Sequence, residues 1–319
     1  MFDVVGIDTP CVDLLCHIER LPEPNEAMEI TENSWQGGGK VATGIIAAAR
    51  LGLKTAIIGM VGSDIYGRYC IEDFKKHEVN VDHMLVEKDK STTLCVVLSD
   101  SKTNGRNIMY KKGTASYLKI TSSDLQMIRD SRCLHIAGWG KTHIEAAKYA
   151  KEHRTITVLD ADTYSPDLDE ILPYIDILIA SEFVYQHYYR DSLYEKNLKE
   201  FVRKGPETVI ITLGGDGCVG VSSDGYFKLP AFPVEVRDTV GAGDVFHGAY
   251  IYGLCQNWKA EKCSRFASAV SAIKCTKLGG RAGIPNAAMT KQFLETGVID
   301  DRQLEERAKY YERGIEYVR

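Results

Sequence analysis

The chain has 319 residues, of which 44% are hydrophobic and 26% are charged, and its formal net charge is −5. This composition is typical of a globular protein with one large α/β domain or two smaller domains. The acidic balance argues against a nucleic acid or an anionic membrane as the main partner, because both attract clustered positive charge. The sequence has neither a bilayer-spanning apolar run nor a signal-peptide pattern at its start, so we expect a cytoplasmic protein.

The nine cysteines are scattered singly along the chain. None forms a Cys-x-x-Cys pair and their number is odd, so the spacing predicts neither a disulfide framework nor a zinc site. We therefore expect reduced thiols in a reducing compartment.

Short apolar strands alternate with helical patterns along most of the chain, as in a mostly parallel sheet covered by helices. The predicted strands are 3–7, 55–60, 133–136, 155–159, 175–180 and 208–212. The predicted helices include 41–51, 67–77, 143–153 and 193–203. Continuous apolar strands fit a sheet that is buried on both faces, so the expected fold class is α/β, with residues 1–319 as one domain.

Two segments interrupt this alternation. Residues 27–35 read as a short extended piece, and 92–98 with 106–110 read as a hairpin. We expect strands within 12–36 and 90–112 to leave the main sheet and form a small β lid over a ligand at the carboxyl ends of the strands. A surface hairpin without a role in binding is the alternative. Residues 303–319 read as a solvated terminal helix.

The most informative segment, 238–249, reads Asp-Thr-Val-Gly-Ala-Gly-Asp-Val-Phe-His-Gly-Ala. Gly241 and Gly243 flank an alanine, and a helical pattern follows. Glycine permits a close backbone approach, and the unpaired N–H groups of a helix start can hold phosphate. Asp244 in the first turn either caps the helix or accepts a proton from an attacking hydroxyl. His247, one turn further on, is expected to pack rather than to react.

This segment resembles the carboxyl-terminal signature of the ribokinase-like (PfkB) carbohydrate kinases. Residues 38–52, a glycine pair leading into a helix that ends Ala-Arg-Leu-Gly, resemble the amino-terminal signature of the same family. Shorter matches lie at 61–67, 212–217 and 280–285, and the resemblance covers about residues 3–295 in the order of the family.

The resemblance implies a three-layer α/β/α sandwich with a small β-sheet lid, ATP and Mg²⁺ as cofactors, and a small sugar as substrate. Lids of this family often pair between subunits, so a homodimer is expected. Asp244 would be the base, and the backbone amides of Gly241, Ala242 and Gly243, with that of Asp244 itself, would form the anion hole.

Further roles follow from the same resemblance. The residues assigned to the sugar are Asp13, Gly38, Gly39, Lys40 and Thr43. The residues assigned to the nucleotide are Ser181, Thr212, Gly214 and Gly217. The residues assigned to cations are Asp238 and the Val240 carbonyl for a monovalent cation such as K⁺, and Glu182 for magnesium.

The chain departs from the family pattern at two places. Thr43 stands where the family usually has asparagine, and it offers one hydroxyl in place of an amide. Ser181 and Val184 stand at the Asn and Glu positions of an Asn-x-x-Glu motif associated with magnesium and phosphate, and the neighbouring Glu182 is the expected substitute.

Thr43 together with residues 275–285 looks most like the sulfofructose kinase branch, with ketohexokinases as a neighbouring possibility. The planar guanidinium of arginine suits a sulfonate or a phosphate. Cationic contacts to such a group are assigned to Arg106, Lys111, Lys112 and Arg281. Alternatively, the lysines are solvated surface charges or contact the phosphates of ATP.

Four other functions are compared with the sequence. A nucleoside kinase of the same fold and a sugar-binding regulator without turnover both stay open. A nicotinamide-dependent dehydrogenase is disfavoured, because the Gly-x-Gly-x-x-Gly match at 215–220 leads into a strand and a turn rather than into a helix. A Walker-type kinase is excluded by the absence of its motif from the sequence.

Overall fold

A computed structural model describes residues 1–100, 102, 105–115 and 118–315, and it arranges them in two β-sheets with surrounding helices. The strands are β1 (Phe2–Asp8), β2 (Cys11–Ile18), β3 (Glu32–Gly38), β4 (Thr55–Gly62), β5 (Asn80–Glu87), β6 (Thr93–Asp100), β7 (Gly105–Lys111), β8 (Ser131–Ile136), β9 (Ile156–Ala161), β10 (Ile177–Ser181), β11 (Thr208–Thr212), β12 (Cys218–Ser222) and β13 (Gly225–Leu229). The helices are α1 (Lys40–Arg50), α2 (Ile65–Lys76), α3 (Ser122–Arg129), α4 (Lys141–Glu152), α5 (Leu168–Ile171), α6 (Glu182–Tyr188), α7 (Tyr194–Arg203), α8 (Ala242–Cys255), α9 (Ala260–Lys274), α10 (Ala287–Thr296) and α11 (Arg302–Glu312).

The main sheet has the strand order β13-β12-β11-β10-β9-β8-β1-β4-β5. From β11 to β5 in this order, every strand pairs in parallel with its neighbours. The β12–β13 hairpin adds an antiparallel edge next to β11. All eight residues of β4 are buried, as expected for a strand that is covered on both faces. Each strand of the main sheet that the sequence predicts is present.

Helices cover both faces of the main sheet. Val4 belongs to a core with Ile45 of α1 and Val245 of α8, whereas its neighbour Val5 belongs to a second core with Ala146 of α4. Successive residues of a strand point to opposite faces, so the two cores fix a three-layer α/β/α sandwich. No helix among the described residues combines the length and the apolar character needed to cross a membrane.

The small sheet has the strand order β3-β2-β6-β7 and corresponds to the predicted β lid. β2 pairs in parallel with β6, and β3 and β7 pair antiparallel on either side. The extended piece predicted at 27–35 begins as a strand only at Glu32. Pro22 and Pro24 lie in the preceding connection, where they supply no backbone donor to a sheet.

Arg281 lies fully buried beneath the small sheet rather than at a ligand cavity. Its guanidinium forms an ion pair with the buried Asp73 and donates a hydrogen bond of 3.0 Å to the carbonyl of Gly38. The hydroxyl of Tyr311 donates to the other oxygen of Asp73 at 2.8 Å. The prediction that Arg281 contacts an anionic substrate is therefore wrong, since its charge is already used inside the protein.

Helix α11 lies within the segment 303–319 that was predicted as a solvated terminal helix, and one of its faces is buried; residues 316–319 lie outside the described part of the chain. Leu304, Arg307 and Tyr311 are buried. The guanidinium of Arg307 donates to the carbonyls of Ala282 and Ile284 at 2.9 and 2.6 Å. The helix thus fastens the chain around Arg281.

We predict that Arg281→Met lowers the free energy of unfolding by about 3–5 kcal/mol, because the Asp73 carboxylate stays buried without its cation. Urea unfolding followed by circular dichroism measures this change. The matched control Arg302→Met removes a cation with 84% side-chain exposure from its pair with Asp300, and it should leave the unfolding midpoint unchanged. Equal midpoints for the two variants would contradict the prediction.

Candidate active site

A cavity of about 820 Å³ lies between the small sheet and the carboxyl ends of strands β9, β10 and β11. The predicted site residues that line it are Asp13, Gly39, Lys40, Arg106, Ser181, Glu182, Thr212, Gly214, Gly217, Val240, Gly241, Ala242, Gly243 and Asp244. Residues more than 200 positions apart in sequence thus meet at one site, at the place where parallel α/β sheets bind ligands. The predicted residues that do not line it are Gly38, Thr43, Lys111, Lys112, Asp238 and Arg281.

The turn before α8 presents free backbone N–H groups to the cavity. Gly241 has a φ of 74°, and a Cβ on it would lie 2.7 Å from the Cα of Gly280, so only glycine fits there. No side chain caps the helix start. The N–H of Ala242 donates to the carbonyl of Thr239 at 3.2 Å, whereas those of Gly243 and Asp244 are available to an anionic ligand. The helix dipole favours negative charge at this point.

Asp244 stands in this first turn with its carboxyl group at the cavity. Burial raises its pKa well above the usual range, and the negative charges of Asp160 and Asp162 raise it further, whereas Lys40 and Arg106 act in the opposite direction. A carboxylate with a raised pKa is a better proton acceptor than an ordinary one. The side chain therefore has the properties of a general base, and it makes no capping hydrogen bond at the start of α8.

Lys40 and Asp162 form an ion pair at the cavity wall. Burial acts to lower the pKa of Lys40, but the charge of Asp162 and their hydrogen bond outweigh it, so that pKa is raised. The pKa of Asp162 is lowered by the same lysine despite its burial. Both groups are charged near neutral pH, which places a fixed cation close to Asp244.

A buried cluster behind the first turn of α8 was missed by the sequence analysis. His247 Nδ1 donates to the carbonyl of Gly243 at 2.7 Å, and its Nε2 lies 3.3 Å from the carbonyl of Ile179 and 3.6 Å from Asp160. The ring of His135 stacks against His247 at 5.6 Å. His247 therefore holds the backbone of the turn before α8. In the sequence, the acids at the carboxyl end of β9 were the signal that could have indicated this cluster.

The small sheet contributes the opposite wall through Asp13 of β2. A Cβ at Gly38 would lie 2.4 Å from the Asp13 carboxylate, so this carboxylate occupies the space that a side chain at Gly38 would need. Burial raises the pKa of Asp13. Thr43, predicted to contact substrate, is 2% exposed inside α1 and faces Gly280 instead. Because Thr43 does not line the cavity, the geometry does not support that prediction.

At the end of the cavity that lies away from the small sheet, Ser181 caps α6. Its Oγ accepts a hydrogen bond from the N–H of Val184 at 3.4 Å and donates to the carbonyl of Asp162 at 3.2 Å. Glu182 and Asp160 also line the cavity. Carboxylate oxygens are the ligands that magnesium prefers, so these acids fit a magnesium ion without the usual Asn-x-x-Glu arrangement.

Asp238 does not fit the predicted monovalent-cation site. Its carboxylate accepts hydrogen bonds from the Ser99 hydroxyl at 3.1 Å, from the N–H of Val240 at 3.0 Å and from the N–H of Gly279 at 2.7 Å. The fully buried ammonium of Lys274 donates to its carbonyl at 2.9 Å. A tethered positive charge thus already holds the chain that leads into the anion-binding turn.

The glycine-rich segment after β11 also excludes the dehydrogenase interpretation. Residues Gly214–Asp216 form one short 3₁₀ turn, and the antiparallel strands β12 and β13 follow it. A dinucleotide-binding motif requires a helix at this point.

We predict that the melting temperature of the protein is the same in potassium chloride and in sodium chloride at equal ionic strength, because Lys274 supplies the charge internally. Lys274→Met should destabilise the fold by about 1–3 kcal/mol, since the Asp238 carbonyl loses its buried donor. The control Lys277→Met removes a lysine from pairs with the exposed Asp301 and Glu305 and should cost less. Stabilisation of the unmodified protein by potassium alone would refute this assignment.

Comparisons with known proteins agree with this geometry. The model of the pfkB family carbohydrate kinases matches residues 1–287. A ribokinase of Haemophilus influenzae is 30% identical over 88% of this chain and 95% of its own length. A nucleoside kinase of Methanothermobacter thermautotrophicus is 27% identical over 89% of this chain and 93% of its own length, and a 5-dehydro-2-deoxygluconokinase of Geobacillus kaustophilus is 27% identical over 92% and 93%.

Solved structures show the same fold. The ribokinase of Arabidopsis thaliana, determined as a complex with ribose and ATP, superposes with a TM-score of 0.80 at 22% identity over 92% of this chain and 99% of its own. A putative ribokinase from Agrobacterium tumefaciens gives a TM-score of 0.85 at 20% identity over 93% and 98%. With the family model covering most of its length, the chain belongs to the pfkB family of carbohydrate kinases, which are phosphotransferases acting on an alcohol group.

Proposed function

We propose that the protein transfers the γ-phosphoryl group of ATP to a hydroxyl of a small sugar, with Asp244 as the general base. The observation that carries this proposal is the position of Asp244. Its carboxyl group, with a raised pKa, shares one cavity with the free amides of Gly241 and Gly243 and with Asp13 on the opposite wall. Proton acceptor, anion site and a partner for sugar hydroxyls are thus within one space.

The two ends of the cavity suit different ligands. Asp13 and Gly39 form a small polar wall next to the small sheet, which fits a sugar. Thr212, Gly214 and Gly217 form a glycine-rich wall at the far end, which fits a nucleotide. A volume of about 820 Å³ lies within the roughly 300–1,000 Å³ of small-molecule sites. The ribose and ATP complex of the Arabidopsis thaliana ribokinase supports this division.

The mechanism asks three things of the chain. Asp244 accepts the proton of the attacking hydroxyl, the amides of Gly243 and Asp244 hold the oxygens of the transferred phosphoryl group, and Lys40 and Arg106 offset its negative charge. Magnesium, held by the acids of the cavity including Glu182, would neutralise phosphate charge. Closure of the small sheet over the sugar would exclude water.

The sugar is proposed to be a ketose or a related small carbohydrate. Arg106 is the one residue of the predicted cationic set that lines the cavity, because Arg281 is internal and Lys111 lies on the exposed face of β7. One arginine is available either to an anionic substituent of a sulfo- or phospho-ketose or to the phosphates of ATP. A nucleoside is the alternative acceptor, supported by the nucleoside kinase relative.

The experiment that tests the function measures ADP release with magnesium-ATP across fructose, sulfofructose, tagatose, ribose, inositols, phosphosugars and nucleosides. We expect a sugar to be the preferred acceptor. Preference for a nucleoside would replace the sugar by the alternative. Binding of sugars without ADP release from any acceptor would favour a regulator that has lost turnover.

For Asp244→Asn we predict a fall in kcat of about 10²–10⁴ with substrate binding largely kept, because the amide cannot accept the proton. Steady-state kinetics and calorimetric titration with the preferred sugar measure the two quantities. Asp300→Asn is the control, since that acid lies outside the cavity and should behave like the unmodified protein. Full turnover of Asp244→Asn would remove this residue from the mechanism.

We also propose a homodimer that forms through the small sheet. β7 is an edge strand whose residues are all exposed, and Ile108, Met109 and Tyr110 are 51, 54 and 69% exposed. An exposed apolar edge favours pairing with another strand. Light scattering at micromolar concentration should give twice the chain mass, and Met109→Lys should shift the population toward monomers. A monomeric unmodified protein would contradict the proposal.

A further inference from the structure

The small-sheet wall of the cavity carries a cluster of three potential metal ligands, which the proposed kinase chemistry does not use as a set. Cys11 and Asp13 are alternate residues of β2 and point to the same face. Cys95 of β6 is the register partner of Asp13. One ligand atom from each of the three side chains lies within 4.8 Å of the other two.

The distances within the cluster match a tetrahedral centre. The sulfur atoms of Cys11 and Cys95 are 3.8 Å apart, and the sulfur of Cys11 lies 3.3 Å from Asp13 Oδ1. Zinc bound tetrahedrally, with bonds of about 2.3 Å to sulfur and about 2.0 Å to oxygen, places two sulfurs about 3.8 Å apart and a sulfur and an oxygen about 3.5 Å apart. Little side-chain movement is needed to hold such an ion.

The donor set also selects the kind of metal. Two thiolates favour zinc and other thiophilic divalent ions, whereas magnesium prefers oxygen ligands and octahedral geometry. Since Cys11, Asp13 and Cys95 all line the cavity, the fourth coordination position opens into it. Binding of the ion to the two thiols releases two protons, and the ion with two thiolates and one carboxylate carries a net charge of −1.

We propose that Cys11, Asp13 and Cys95 form a binding site for one thiophilic divalent cation, with zinc as the preferred ion. The site is separate from the acids at the far wall that fit magnesium. If the proposed function holds, the ion occupies the Asp13 contact of the sugar, so zinc and sugar compete and zinc acts as an inhibitor of phosphoryl transfer.

Cobalt(II) titration of the reduced full chain without oxygen tests the site independently of catalysis. One equivalent of cobalt should produce sulfur-to-cobalt charge-transfer absorption together with the strong visible bands of a tetrahedral ion, and zinc should remove both signals. Cobalt binding without the charge-transfer band would overturn the proposal, as would protein that binds no cobalt.

Variants locate the ligands. Cys11→Ala, Cys95→Ala and Asp13→Asn should each weaken zinc binding at least about tenfold, measured by competition with a chromophoric chelator, with circular dichroism confirming that each variant is folded. Cys275→Ala is the matched control, because that thiol lines the same cavity but lies outside the cluster. A Cys95→Ala variant that binds zinc as tightly as Cys275→Ala would refute the assignment.

A further measurement separates this proposal from the proposed function. Zinc should raise the melting temperature of the unmodified protein but not that of Cys95→Ala, whether or not any sugar is phosphorylated. With an active sugar identified, zinc should also raise its KM and leave kcat unchanged. If zinc does not raise the melting temperature of the unmodified protein, the metal site is refuted and the proposed function is unaffected. If no acceptor is phosphorylated, only the inhibitory role of zinc is refuted.

Discussion

The left-handed turn at Gly241 is the constraint on which the rest of the site depends. It lets α8 begin with unpaired amides at the floor of the cavity, and its close approach to Gly280 leaves no room for a side chain. Buried polar groups hold this turn from both sides. His247 binds the carbonyl of Gly243 from within α8, and Lys274 binds the carbonyl of Asp238 ahead of it. The donors of the turn are therefore fixed before any ligand arrives, which is the condition for strong electrostatic stabilisation of transferred charge.

The second constraint is the excess of negative charge around this turn. Asp160, Asp162 and Asp244 share one cavity. Burial raises the pKa of Asp244, and the charges of the other two acids raise it further. Lys40 offsets part of that charge through its ion pair with Asp162. Cations brought with a phosphate ligand would lower the pKa of Asp244 and so favour its charged form. If Asp244 is the base, as proposed, it would be deprotonated when the phosphoryl donor and its metal are bound, and it would be less reactive in their absence.

Local patterns in the sequence were sufficient for the individual strands and helices, because each depends on neighbouring residues. The role of the turn around Asp244 depended on the resemblance of two segments to family signatures. Contacts between distant segments were beyond such patterns. Arg281 was predicted to contact an anionic substrate, but its guanidinium pairs with Asp73, 208 positions away. Lys274, which no sequence pattern singled out, is fully buried. In both cases a charged side chain is internal, where sequence composition predicts exposure.

Strand β2 contributes one face to an apolar core and the other face to the cavity. Val12 points into an apolar core with Val61, whereas Cys11 and Asp13 point into the cavity. A shift of the strand by one residue would exchange these faces, so the core that anchors Val12 also fixes what the ligand meets. Asp13 alone would offer hydrogen bonds to hydroxyl groups. Together with the thiols of Cys11 and Cys95, the same carboxylate forms the proposed site for a divalent metal ion. Sugar and metal ion therefore compete for the Asp13 carboxylate.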